Sequence, residues 1–281
     1  MPTKHFLDTS VFRPAILSSD VYKKYLKTSI DYKAAYASPF IQMEFTRSYI
    51  LNVIDFYFVL NLPSVKTVED ALSVWQHKFG KAALKAIVVL IPKVFSTHHK
   101  VDMQQASDKA KAQKILAMYI KRLAIKAQGL FKDPSNDNTK CPLGTLSLDV
   151  EMGTANQDLG NYCDAFRNPS NRKACKVDKI ILEKYQNEIR SLLQRSTTTP
   201  RNNDTKGFHD IVENINIILT KGGGACTCSM CAKIGDLIIS LNTPKDMQLE
   251  HTDKSFDYLC PPINQPHRKL LSEIEIIHQS S

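Results

Sequence analysis

His5-Phe6-Leu7-Asp8-Thr9-Ser10-Val11 is the stretch on which the fold turns. A short apolar run passes directly into an acid and two hydroxyl residues. That pattern reads as an interior strand ending in a polar turn. Residues 247–252 repeat it and stop at Asp253. Two strands that each end on an acid predict neighbouring or near-neighbouring strands of one mostly parallel sheet, with helices on both faces. In open α/β sheets ligands bind outside the carboxyl ends of the strands, so Asp8 and Asp253 are placed where a ligand belongs.

The chain between these strands reads largely as helix. Residues 18–37 carry apolar side chains at helical spacing. Ser38-Pro39 is a helix start, and the helix runs over 40–60 with Glu44 in its second turn. Further helices are expected over 68–79, 103–131, 177–195 and 208–219, and over 228–241, which brings Asp236 near a helix start. Residues 82–90 fit helix or strand. Residues 134–176 are rich in Asn, Asp, Gly and Pro and read as irregular, while 196–206 reads as a polar linker. The expected organisation is a single domain over 1–281 with an insertion at 134–206.

Composition limits the partners. The chain has 281 residues and a formal net charge of +9. A basic excess favours polyanions such as nucleic acid. No uncharged apolar stretch of about 20 residues is present, so a membrane span is not expected. The N-terminus shows no charged region followed by a long apolar segment, and no signal peptide is read. A cytoplasmic location with reduced thiols is the expectation.

Asp8, Glu44, Asp236 and Asp253 form the candidate catalytic set. Carboxylates gathered in one place repel one another and are costly to bury unless a cation neutralises them. Mg²⁺ and Mn²⁺ are hard cations that take oxygen ligands. Taken one at a time, an Asp after a strand is more often a helix cap or turn former, and Glu44 is more often paired with a nearby base such as Arg47.

Order and local context at these four places resemble the PIN-domain nucleases. The segment 5–11 resembles their opening strand, whose first acid is followed by Thr or Ser and then Ser. Pro39 to Phe45, with Glu44 before Phe45, looks like the helix carrying their second acid. Gly235-Asp236-Leu237-Ile238-Ile239-Ser240 resembles the helix carrying the third. His251-Thr252-Asp253-Lys254-Ser255-Phe256 is similar to their last strand. The resemblance covers roughly residues 4–60 and 208–260. It implies a three-layer α/β/α fold and an endoribonuclease acting on RNA in preference to DNA. It further implies Mg²⁺ or Mn²⁺ held by Asp8, Asp236 and Asp253, with Glu44 completing the shell or orienting water. Ser10, or Thr9, would bond the ligands or a substrate phosphate, or serve as a turn former. Toxin, defence and RNA-processing roles all fit, the first with an inhibitory protein partner. Two departures stand out: the chain is longer than the usual domain, and Glu250 and His251 are more polar than the usual last strand. The alternative reading is an inactive nucleic-acid-binding or scaffold protein on the same fold.

Two further features carry no resemblance. The chain has seven cysteines, and Cys228-Ser229-Met230-Cys231 has zinc-knuckle spacing. A structural Zn²⁺ on Cys163, Cys175, Cys228 and Cys231 would staple the irregular insertion, with Cys141 or Cys226 able to replace a member. Reduced cysteines without metal are the other reading. Residues 100–132 hold eight Lys or Arg and two Asp. There Lys109, Lys114, Lys121 and Arg122 are candidates for tracking a phosphate backbone, or else a solvated helix face.

Overall fold

The fold starts from β1 (Lys4–Leu7), in which Phe6 and Leu7 have no exposed surface. The structure is a computed structural model describing residues 3–91, 94–95, 101–129, 141, 143–168, 180–221 and 228–280. β1 is flanked by β2 (Ala35–Tyr36), with His5 opposite Ala35, and by β3 (Met247–His251), with Lys4 opposite Met247 and Leu7 opposite Glu250. β3 pairs in turn with β4 (His267–Lys269). Among the described residues the sheet is therefore four-stranded, ordered β2-β1-β3-β4, and every pairing is parallel. The two strand-then-acid segments are direct neighbours, as their pattern predicts.

Two strands escape the sequence. β2 is two residues long and follows a 3₁₀ turn at Tyr32–Ala34, so the helix expected over 18–37 stops at Ser29. Two residues are too few to show a period of two. β4 is His-Arg-Lys, a charged edge strand. Charge on an edge discourages pairing with other chains and hides the strand from a hydrophobic pattern.

In chain order the helices are α1 (Thr9–Leu17), α2 (Asp20–Ser29), α3 (Pro39–Phe45), α4 (Leu51–Leu60), α5 (Val68–Ile91), α6 (Lys109–Gly129), α7 (Ala155–Arg167), α8 (Gln186–Thr198), α9 (Lys206–Lys221), α10 (Cys228–Lys233), α11 (Gly235–Asn242), α12 (Phe256–Leu259) and α13 (Glu273–Ser280). Thr46–Ile50 winds as a π-helix between α3 and α4, so the span expected as helix over 40–60 is helical throughout. Residues 82–90 are helical, as part of α5. The helix expected over 228–241 is broken at Ile234 into α10 and α11, and α7 occupies part of the stretch read as irregular. Within the helix expected over 177–195, Ile180–Lys184 forms a π-turn and α8 follows, while 177–179 lie outside the described residues.

Contacts divide the chain into two compact units. The first comprises Met1–Glu44, Leu130–Thr145 and Pro169–Ser281, and the second Phe45–Gly129 and Leu146–Asn168. This division is drawn differently from the 134–206 insertion that composition suggests. In the second unit α4 packs on α5, α6 and α7. Phe56 meets Trp75 edge-on at 5.8 Å, and Arg167 forks onto Asp55 at 2.9 and 3.1 Å.

The sheet belongs to the first unit, and its polar last strand has a physical reason. Glu250 is fully buried in β3. Arg268 from β4 grips it with two bonds, Nε to Oε2 at 2.8 Å and Nη2 to Oε1 at 2.9 Å, and His5 of β1 approaches Oε1 at 2.7 Å. Arg268 also donates to the carbonyl of Ser29 at the end of α2. A buried carboxylate is tolerable when it is paired and its lone pairs are satisfied. Charge at Glu250 thus ties three adjacent strands together and does not disturb the register.

Candidate active site

Asp8 follows β1 and is 3 % exposed. Its side chain caps α1, accepting from the Ser10 backbone N–H at 2.9 Å. The helix-cap reading and the site reading therefore describe the same residue. Ser10 faces the other way as well: its Oγ accepts from the Thr252 N–H at 3.0 Å and locks the end of β1 to the end of β3. Glu44, half-buried on α3, accepts a hydrogen bond from the Thr9 hydroxyl at 2.5 Å. Asp236 stands in the first turn of α11. The residue before it is glycine for a steric reason: a Cβ at Gly235 would lie 2.4 Å from Glu44 Oε1. That contact shows how closely α11 approaches the Glu44 carboxylate. Asp253 is exposed at the rim and accepts from the Ser255 N–H at 3.0 Å, while the Ser255 hydroxyl donates to Asp236 Oδ2.

Electrostatics join the four acids. Burial, resisted by the hydrogen bonds from Ser10 and reinforced by the charge of Glu44, pushes the Asp8 carboxyl up to about 7. Burial, then the charge of Asp8 and further out that of Asp253, also pushes Asp236 up to about 7, against the bond from Ser255. Asp8 feels Glu44, and Asp236 feels Asp8 and Asp253. The structure thus brings all four predicted acids into one interacting group, drawn from β1, α3, α11 and the end of β3. Two buried carboxyls held near neutrality have two outlets: they keep a proton, or a cation takes its place. All the donors are carboxylate or hydroxyl oxygens, which suits Mg²⁺ or Mn²⁺. No three of these acids have ligand atoms mutually within 4.8 Å.

Ser255 was missed by sequence reading. Its signal was the Asp253-Lys254-Ser255 turn, in which an Asp side chain bonds the backbone two residues on. A second group was also missed. Among the described residues, His251, Asp257 and His267 are the set of three potential ligands that come mutually within 4.8 Å. Burial brings the imidazole of His251 down to about 4, against the pull of Asp257.

The remaining candidates lie elsewhere. Cys163 and Cys231 are buried and fall in different units, while Cys175, Cys226 and the side chain of Cys228 lie outside the described residues. Burial pushes the Cys163 thiol up to about 11, so it packs as a neutral group. On α6, Lys109 donates to the carbonyls of Leu62 and Val65 at 3.1 and 2.5 Å. Lys121 meets Asp149 at 2.7 Å and the Val150 carbonyl at 3.1 Å. Lys114 and Arg122 are exposed. Among the described residues, no helix is long and apolar enough to cross a membrane. No family model matches the chain, and no curated protein or solved structure matches it either.

Proposed function

We propose that the chain is a metal-dependent nuclease of the PIN-domain type, an endoribonuclease on a three-layer α/β/α fold. The observation that carries this reading is the meeting of Asp8, Glu44, Asp236 and Asp253, from four separate elements, with Asp8 and Asp236 buried and pushed toward neutrality. A fold gains nothing in stability from placing repelling carboxylates together, so their convergence points to a ligand. Asp8, Asp236 and Asp253 would hold Mg²⁺ or Mn²⁺ partly through the waters that such an ion keeps in its shell. When bound, that ion supplies an activated water and offsets charge on the scissile phosphate. The chain's own residues supply the placement. Ser10 locks the two strand ends that present Asp8 and Asp253. Thr9 and Ser255 donate to Glu44 and Asp236, which fixes one oxygen of each carboxylate. Glu44 would complete the ion's shell or orient the water.

The test is cleavage of labelled RNA with Mg²⁺ or Mn²⁺, with EDTA as control. Asp236→Asn keeps side-chain size and removes a charge. Its rate should fall by about a hundredfold or more, on the scale of losing one aligned electrostatic group. A variant as active as the parent rejects the assignment. A parent that binds RNA but cleaves no RNA or DNA supports the inactive binding-protein reading instead.

A further inference from the structure

We propose that His251, Asp257 and His267 form a second metal site, built for Zn²⁺ or a cation of its class and separate from the four-acid group. The three residues come from the end of β3, from α12 and from β4. His251 Nε2 lies 3.1 Å from His267 Nδ1 and 3.9 Å from Asp257 Oδ1. Two ligands each about 2.1 Å from one tetrahedral centre stand roughly 3.4 Å apart, so these separations bracket the value a zinc ion requires.

The tautomer of His251 carries the argument further. Its Nδ1 lies 2.9 Å from the backbone carbonyl of Asp253, which can only accept. Nδ1 therefore bears the hydrogen in that bond, and Nε2 presents a lone pair toward the other two residues. A histidine ring fixed through its second nitrogen by a carbonyl is the usual support for a metal ligand. His251 is fully buried, and the Phe256 ring lies against it at 4.9 Å. His267 and Asp257 are half-buried, which leaves solvent access for a fourth ligand. His267 needs only to move its hydrogen from Nδ1 to Nε2 to complete the nitrogen pair, with no change of charge. Lys269 competes for the carboxylate, bonding Asp257 Oδ2 at 3.3 Å and leaving Oδ1 for the cation. Two imidazole nitrogens and one carboxylate oxygen suit Zn²⁺ and Co²⁺, whereas Mg²⁺ prefers oxygen throughout. Bound there, zinc would clamp β3, α12 and β4 around the turn that carries Asp253 and Ser255. The site stands whether or not the chain is a nuclease.

The experiment uses the full chain, stripped with chelator and titrated with Co²⁺ and then Zn²⁺. The expected result, with saturating Mg²⁺ present to fill the acid group, is one Co²⁺ per chain with the visible bands of nitrogen and oxygen ligation, displaced by Zn²⁺. His267→Gln and Asp257→Asn change half-buried side chains and leave the buried His251 in place, so folding is retained. Each should weaken Co²⁺ affinity at least tenfold. Binding that keeps the parent's affinity and spectrum in both variants overturns the proposal. So does a spectrum made up of thiolate charge-transfer bands alone, which would place the ion on cysteines, and so does an absence of Co²⁺ binding.

Discussion

Asp8 carries two duties that pull against each other. As the cap of α1 it satisfies an N–H, and Asn would do this equally well. As a member of the acid group it is buried beside other charges, and Asn would relieve that. Asp8→Asn should therefore stabilise the metal-free protein, by about 1–3 kcal/mol given the roughly 1.4 kcal/mol carried by each pKa unit. The pH dependence has a definite sign. The folded-state values of Asp8 and Asp236 are raised from 3.8 to about 7, so the folded chain holds protons that the unfolded chain has released. Their contribution to stability is complete below about pH 4 and is lost as pH rises through about 7. Chemical denaturation in EDTA should show metal-free stability falling across that window, with saturating Mg²⁺ or Mn²⁺ reducing the fall. A parent whose stability rises over the same range would show that these carboxylates are not held near neutrality.

At the level of elements, what matters is how closely α11 can approach α3. Gly235 opens α11, and its missing side chain leaves room for Glu44 Oε1. Gly235→Ala would bring a Cβ to 2.4 Å from that oxygen. The neighbour is the end of a flexible side chain, so the carboxylate moves and the helix stays. Alanine is also the better helix former by about 1 kcal/mol in a helix interior, which offsets the crowding. The expected outcome is a melting temperature near the parent's and a cleavage rate lower by about tenfold or more, since small misplacements of catalytic groups are costly. Equal loss of both would mean that the crowding is structural and that Glu44 has no special place. Gly144 offers a contrast: a Cβ there would meet the backbone oxygen of Pro39 at 1.8 Å, a contact that no side-chain rotation relieves.

On the scale of the whole molecule, the net charge of +9 favours a polyanion, but the cations on α6 are not equivalent. Lys109 and Lys121 are engaged with carbonyls and Asp149 inside their own unit. Lys114 and Arg122 are exposed. Lys114→Gln and Arg122→Gln should each weaken RNA binding and lower the slope of log affinity against log salt by roughly 0.7, the single-strand value per phosphate contact. Lys109→Gln and Lys121→Gln should instead cost about 1 kcal/mol of stability, as the loss of modest hydrogen bonds does. Filter binding of RNA across a salt series, with a melt of each variant, separates the two groups. Four variants with the parent's slope would remove α6 from the binding surface.

Residue pattern placed β1 and β3 in one parallel sheet and marked Asp8 and Asp253, because a short apolar run ending in an acid is a local signal. Glu44 and Asp236, by contrast, lie on helices and entered the set through the resemblance. Pattern also found most of the helices, whose period repeats over many residues. It could not find β2 or β4, which are too short to show any period. It read Glu250 and His251 as departures from a last strand, because their reasons lie far along the chain: His5 is 245 residues from Glu250, and Arg268 is 18 away. Ser255 bonding Asp236, Gly235 making room for Glu44, and the meeting of His251 with His267 and Asp257 are products of tertiary packing. The reason is physical. Propensity and periodicity act between neighbours in sequence. The burial that raises a carboxyl's pKa, and the distance that joins two imidazoles, exist only once the strands have paired.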